Sequence, residues 1–137
     1  MSYLLDTNVL SEWRKASPDA GVAEWLAAAV ADELFVSVIT ISEIRRGIAK
    51  LQSRNDHRQA AAYRSWLAVT KDLFVERIVP IDVGVAEEWG QIAAARPVSM
   101  ADGLIAATAK VRGWTVVTRN IKDFDATGVR LLNPFTG

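Results

Sequence analysis

The first apolar run of the chain, Tyr3-Leu4-Leu5, stops at Asp6-Thr7-Asn8 and reads as a buried strand ending in a polar turn. A short helix with Leu10 and Trp13 should follow. Ser17-Pro18-Asp19 has the form of a helix start, with Ser17 as cap and Pro18 in the first helical position, where its missing N–H costs nothing. Trp25, Leu26 and Ala29 then recur at helical spacing. Leu34-Phe35-Val36 predicts a second strand. Beyond it Ile41, Ile44, Ile48 and Leu51 fall at intervals of 3, 4 and 3, the apolar stripe of a helix. A polar helix over about 56–71 carries Tyr63, Trp66 and Leu67, and residues 77–81 predict a third strand. Helices over 83–95 and 100–112 come next, the second stopped by Gly113. Strands at 115–118 and 129–132 complete the pattern.

Apolar runs alternating with helices predict βα units and a mostly parallel sheet of about five strands, covered on both faces. In such sheets ligands bind beyond the carboxyl ends of the strands. That is where chemistry is expected.

Composition narrows the picture. With 137 residues, half of them hydrophobic, the chain can bury one sizeable core, and residues 1–137 read as a single domain. Glu24, Asp32 and Glu33 interrupt the longest apolar stretch, which excludes a membrane span of about 20 apolar residues. The start, Met-Ser-Tyr-Leu-Leu-Asp, has no basic flank or cleavable apolar region, so no secretion signal is expected. The absence of cysteine excludes disulfides and thiolate metal sites and fits a cytoplasmic protein. Sixteen basic side chains balance sixteen acidic ones. That argues weakly against a general nucleic-acid binder and leaves room for a nuclease with a local basic patch or a metal ion.

Three acids occupy strand ends or helix starts. Asp6 follows the first strand and, alone, reads as an N-cap. Glu43 closes Thr40-Ile41-Ser42-Glu43, a capping box with Ile39 and Ile44 as its hydrophobic staple. Asp102 ends Ser99-Met100-Ala101-Asp102, of the same form. Jointly they suggest more. If the sheet brings them together, repulsion raises their pKa values unless a cation is present. Hard oxygen ligands suit Mg²⁺ or Mn²⁺, which can activate water and stabilise charge on a phosphodiester. The single histidine, His57, lies in a polar stretch, so neither His-based acid–base catalysis nor a zinc site is expected. No Ser-His-Asp set and no G-x-x-x-x-G-K loop can be assembled.

Leu4-Leu5-Asp6-Thr7-Asn8-Val9, Thr40-Ile41-Ser42-Glu43-Ile44 with Gly47, Ala101-Asp102-Gly103-Leu104-Ile105-Ala106-Ala107-Thr108-Ala109, and Val117-Thr118-Arg119-Asn120 with Asp123-Phe124 together resemble the PIN-domain family. Within it the chain is similar to VapC toxins of type II toxin–antitoxin systems, near the FitB-like branch, which Asn133-Pro134 also resembles. The likeness covers essentially the whole chain, with four motifs in family order. It implies a three-layer α/β/α sandwich and Mg²⁺-dependent endoribonuclease activity, with Mn²⁺ as a substitute. It also implies a homodimer held inactive by a small VapB-like antitoxin, in a larger complex that touches DNA only through the antitoxin. By the same resemblance Asp6 and Asp102 ligate metal, and Glu43 ligates metal or positions water. Thr118 orients a water or a carboxylate, and Asn8 hydrogen-bonds the cluster. Relatives place a fourth acid at the position of Asn120 or of Asp123; Asp123 is favoured, with turn formation as its alternative role, and Asn120 is left to support the cluster.

Arg119 lies beside the expected site and is a candidate phosphate contact. Arg45, Arg46, Arg14, Lys15, Arg54 and Arg58 form a possible basic rim or a merely solvated surface. Trp13, Trp25 and Leu26 are candidates for a groove that takes an amphipathic antitoxin helix, or for the core. Two other Mg²⁺-using classes share the architecture. A haloacid-dehalogenase phosphatase needs a second Asp where Asn8 stands. A receiver domain, with Asp82 as phosphoacceptor, needs an acidic pair that Thr7 and Asn8 do not supply. A non-enzymatic PIN module that only binds partners is the third alternative, and the three retained acids argue against it.

Overall fold

In the computed structural model, which describes residues 1–136, the strands are β1 (Tyr3–Leu5), β2 (Leu34–Ser37), β3 (Ile78–Val79), β4 (Thr115–Val117) and β5 (Arg130–Leu132). They form one all-parallel sheet in the order β3-β2-β1-β4-β5. The helices are α1 (Thr7–Leu10), α2 (Ala20–Ala28), α3 (Val38–Ser53), α4 (His57–Leu73), α5 (Val83–Ala95), α6 (Met100–Arg112) and α7 (Ile121–Asp125). Successive strand residues face opposite sides, so β1 sends Leu5 into one core and Leu4 into the other. Leu5 and Val117 meet Val9, Ile44, Ile48 and Trp66 from α1, α3 and α4, and Phe74 just after α4. Leu4 and Val116 meet Val85, Ile105, Ala106, Ala107 and Phe124. This is the expected α/β/α sandwich. Chain order reverses between β1 and β4, and that switch point opens a crevice at their carboxyl ends.

Local chemistry shifts several boundaries. Helix α3 begins at Val38, because the Ser37 hydroxyl at the end of β2 accepts from the Ile39 N–H (3.0 Å). Thr40 is therefore inside the first turn and Glu43 is beyond it, so the expected capping box does not form. Asp19, not Ser17, caps α2, accepting from Val22 N–H at 3.0 Å. The same carboxylate accepts from Thr136 Oγ1 at 2.7 Å and so ties the chain's last described residue to this helix. Ser99 caps α6 as expected, and Gly113 ends it with φ +70°. The third strand is shorter than 77–81. The stretch after β4, expected as a turn, forms α7 because Phe124 is wholly buried there.

Trp13 stacks on Phe74 and lines a cavity with Leu26, whereas Trp25 packs edge-on against Tyr3 and lines another with Leu132 and Pro134. The three residues do not share one groove. Arg14 is also away from the acids: its guanidinium lies over the rings of Tyr63 and Trp66. Lys15 pairs with Glu12. Among the described residues no helix is long and apolar enough to cross a membrane.

Candidate active site

Asp6 directly continues β1: its N–H donates to the Val117 carbonyl (2.9 Å), extending the β1–β4 ladder by one residue. Its side chain then turns back as the N-cap of α1, with Oδ1 accepting from Thr7 N–H at 2.9 Å. Oδ2 accepts from Thr118 Oγ1 at 2.8 Å and from Asn8 Nδ2 at 3.2 Å. The capping role is real, but it engages only one of the two oxygens.

Thr118, wholly buried at the end of β4, fixes this carboxylate. Its hydroxyl donates to Asp6 and accepts from Asn8 Nδ2 (3.2 Å) and from Asn120 N–H (2.9 Å), which uses its one proton and both lone pairs. Asn8 Oδ1 accepts from Arg119 N–H at 3.1 Å. Asn8, Thr118 and Asn120 thus link the ends of β1 and β4 into a closed network around Asp6. Asn120 takes part through its backbone.

Glu43 reaches the same crevice from α3, its Oε1 accepting from Thr7 Oγ1 at 2.9 Å. Asp102 arrives from the first turn of α6, whose close approach to α5 depends on Gly103: a Cβ there would overlap the Trp89 ring. The charges are mutually felt. Burial pushes the Asp6 carboxyl up to about 6 against the pull of its hydrogen bonds, and the charges of Glu43 and Asp102 add to the rise. Burial likewise raises Glu43, with Asp102 adding and Arg46 opposing. Asp102 is raised by burial and by the charge of Asp123, which stands exposed in α7. The structure thus brings Asp6, Glu43 and Asp102 together and sets Asp123 beside Asp102.

Thr7 is the residue that sequence reasoning passed over. It lies inside the Asp6-Thr7-Asn8 turn, yet only the placement of α3 against α1 shows that its hydroxyl holds Glu43. Arg119 points its guanidinium over the Phe135 ring, 4.2 Å from the centroid. His57 is exposed at the start of α4, outside this network. Asp82 caps α5, its Oδ1 accepting from Val85 N–H at 2.9 Å.

The donor set fits a hard divalent cation. It consists of carboxylate oxygens, and among the described residues none of the four acids forms a salt bridge that would neutralise it. Nor do three acidic or His side chains among the described residues converge on a single point. A cation here would be held by one or two carboxylates and keep several waters, the usual mode of Mg²⁺.

Comparisons with known proteins agree with this fold. A family model described as PIN domain matches residues 3–129. The chain is 36% identical to Toxin FitB of Neisseria gonorrhoeae, covering 96% of this chain and 97% of that protein. It is 32% identical to VapC ribonuclease Y4jK of Sinorhizobium fredii, covering 96% of each. Among solved structures, FitAcB from Neisseria gonorrhoeae superposes with a TM-score of 0.84 over 96% of this chain and 97% of that one, at 36% identity. DNA-bound VapBC from Salmonella typhimurium gives 0.73 over 96% and 97%, at 28% identity. With a family model matching residues 3–129 and a relative 36% identical over 96% of the chain, the chain belongs to the PIN-domain family.

Proposed function

We propose that this protein is the toxin of a toxin–antitoxin pair, a Mg²⁺-dependent endoribonuclease that hydrolyses RNA phosphodiester bonds, with Mn²⁺ able to replace Mg²⁺. The observation that carries the reading is the meeting of Asp6, Glu43 and Asp102 at the switch point with no salt bridge to any of them among the described residues. Asp6 and Asp102 would hold the ion, with Glu43 as the group that orients water. Bound there, Mg²⁺ would lower the pKa of water and offset charge on the phosphodiester. Thr118 and Asn8 keep Asp6 in one rotamer, and Thr7 does the same for Glu43. Such fixed geometry saves reorganisation when the substrate arrives. Asp123 extends the acidic surface beside Asp102, and Arg119 supplies a cation near the same edge for a phosphate.

The partner would be a small VapB-like antitoxin, with DNA met through it and the toxin acting as a homodimer within the complex. Support comes from relatives named as a toxin and a ribonuclease, and from neighbours solved as FitAcB and VapBC assemblies. Incubating the antitoxin-free protein with total RNA tests the activity. Cleavage should require Mg²⁺ or Mn²⁺, stop in excess EDTA, and be lost in Asp102→Asn with the far-UV spectrum unchanged. Undiminished cleavage in EDTA would sink the metal mechanism. No cleavage under any condition would leave a partner-binding module.

A further inference from the structure

A cavity of about 400 Å³ opens between the carboxyl ends of β4 and β5, lined by Arg119, Asn120, Ile121, Lys122, Asp123 and Asn133. Its position is dictated by the sheet. Thr118 N–H donates to the Leu132 carbonyl (3.0 Å), which sets Asn133 beside the turn leaving β4. Adjacent strands lie roughly 5 Å apart, so the cavity is one to two strand spacings from Asp6, along the edge opposite Glu43. Asp123 forms part of its wall, and the charge of Asp123 raises the Asp102 carboxyl, so the cavity lies beside the acid crevice.

The lining is unlike a generic surface dent. Arg119 is held over Phe135, and Phe135 is held in turn by its N–H donating to Asn133 Oδ1 at 3.0 Å. That bond orients the Asn133 amide, whose NH₂ donates to no acceptor among the described residues. Asn120 is fixed at the backbone by Thr118 while its side chain is exposed. Lys122 is exposed on the first turn of α7 and has no salt bridge among the described residues. Two cations, two amides and the Asp123 carboxylate therefore surround a space within the size range of small-ligand pockets. Guanidinium and ammonium groups suit phosphate, and carboxamides present a donor and an acceptor to a base edge.

We propose that this cavity is a nucleotide subsite for the RNA strand, in which Lys122 and Arg119 hold the phosphate next to the scissile one and the amides of Asn120 and Asn133 read its base. The inference rests on the ribonuclease reading and adds a determinant of cleavage position to it. Single-stranded RNA is the substrate form that fits, because an unpaired base can leave its stack and enter a pocket.

The test compares wild type with Lys122→Glu and Asn133→Ala on a randomised single-stranded oligoribonucleotide, reading KM, its salt dependence and the map of cut ends. Lys122→Glu should raise KM about tenfold, the scale of a lost charge-assisted contact, with little change in kcat. It should also flatten log(1/KM) against log salt by about 0.7, one phosphate contact on a single strand. Asn133→Ala should broaden the base preference beside the cut. Wild-type KM, salt slope and map in both variants, each folded by circular dichroism, would overturn the subsite alone. The same indifference with weakened antitoxin binding would make the cavity a protein contact and overturn it too. A wild-type protein that cuts no RNA would bring down the ribonuclease reading, and the subsite with it.

Discussion

Replacing Asp6 by Asn removes a charge whose burial its hydrogen bonds do not fully offset. Asp6 is 5% exposed, and its carboxyl is raised from 3.8 to about 6. At about 1.4 kcal/mol per pH unit, the charged form costs the metal-free folded protein about 3 kcal/mol. The sign follows from which state releases its proton first. Below about pH 4 Asp6 is protonated in both states and the cost is absent. Between about pH 4 and 6 the unfolded chain ionises first, and stability falls until the folded carboxyl has ionised too. The Asn variant has no such slope, but it puts an NH₂ where an oxygen accepted from Asn8 or Thr118, a mismatch of about 1–2 kcal/mol. Asp6→Asn should therefore be more stable than wild type by about 1–2 kcal/mol at pH 7.5 and less stable by a similar margin at pH 4. Urea unfolding in EDTA at the two pH values measures both differences, and comparing the proteins at each pH largely cancels the other carboxylates. A difference that keeps the same sign and size at both pH values would refute the reasoning.

Two further substitutions probe what positions the acids. Gly103→Ala gains about 1 kcal/mol of helix propensity but drives a methyl group into the Trp89 ring, an overpacking cost of about 1–3 kcal/mol. A net loss of stability in thermal unfolding, together with reduced RNA cleavage as Asp102 moves, is expected; a variant more stable than wild type would show that α5 and α6 yield easily. Thr118→Val keeps the shape of a wholly buried side chain but takes a donor from Asp6 and an acceptor from the Asn120 N–H. It should cost about 1–3 kcal/mol and move the acidic limb of the pH–kcat profile upward, with Thr118→Ser restoring both. An unmoved acidic limb would remove Thr118 from the control of Asp6.

Much of this protein follows from sequence alone. Short apolar runs at Tyr3–Leu5 and Thr115–Val117 and the long apolar stripe of α3 announce buried strands and a sheet-packed helix whatever lies elsewhere, because a continuous apolar run or an apolar residue every third to fourth position is a local signal. Asp6 and Asp102 could be placed at element ends for the same reason. Tertiary structure alone decided what those acids face. Glu43 reads locally as a capping acid, yet Ser37 takes the cap and leaves Glu43 for Thr7, 36 residues away in sequence. The bond from Thr118 to Asp6 spans 112 residues and exists only because β4 lies beside β1. Helix α7 forms where local pattern suggested a turn, since burial of Phe124 depends on the core made by α5 and α6. Propensity and periodicity act within a few residues; the electrostatics of a shared crevice depend on strand order, which no local pattern encodes.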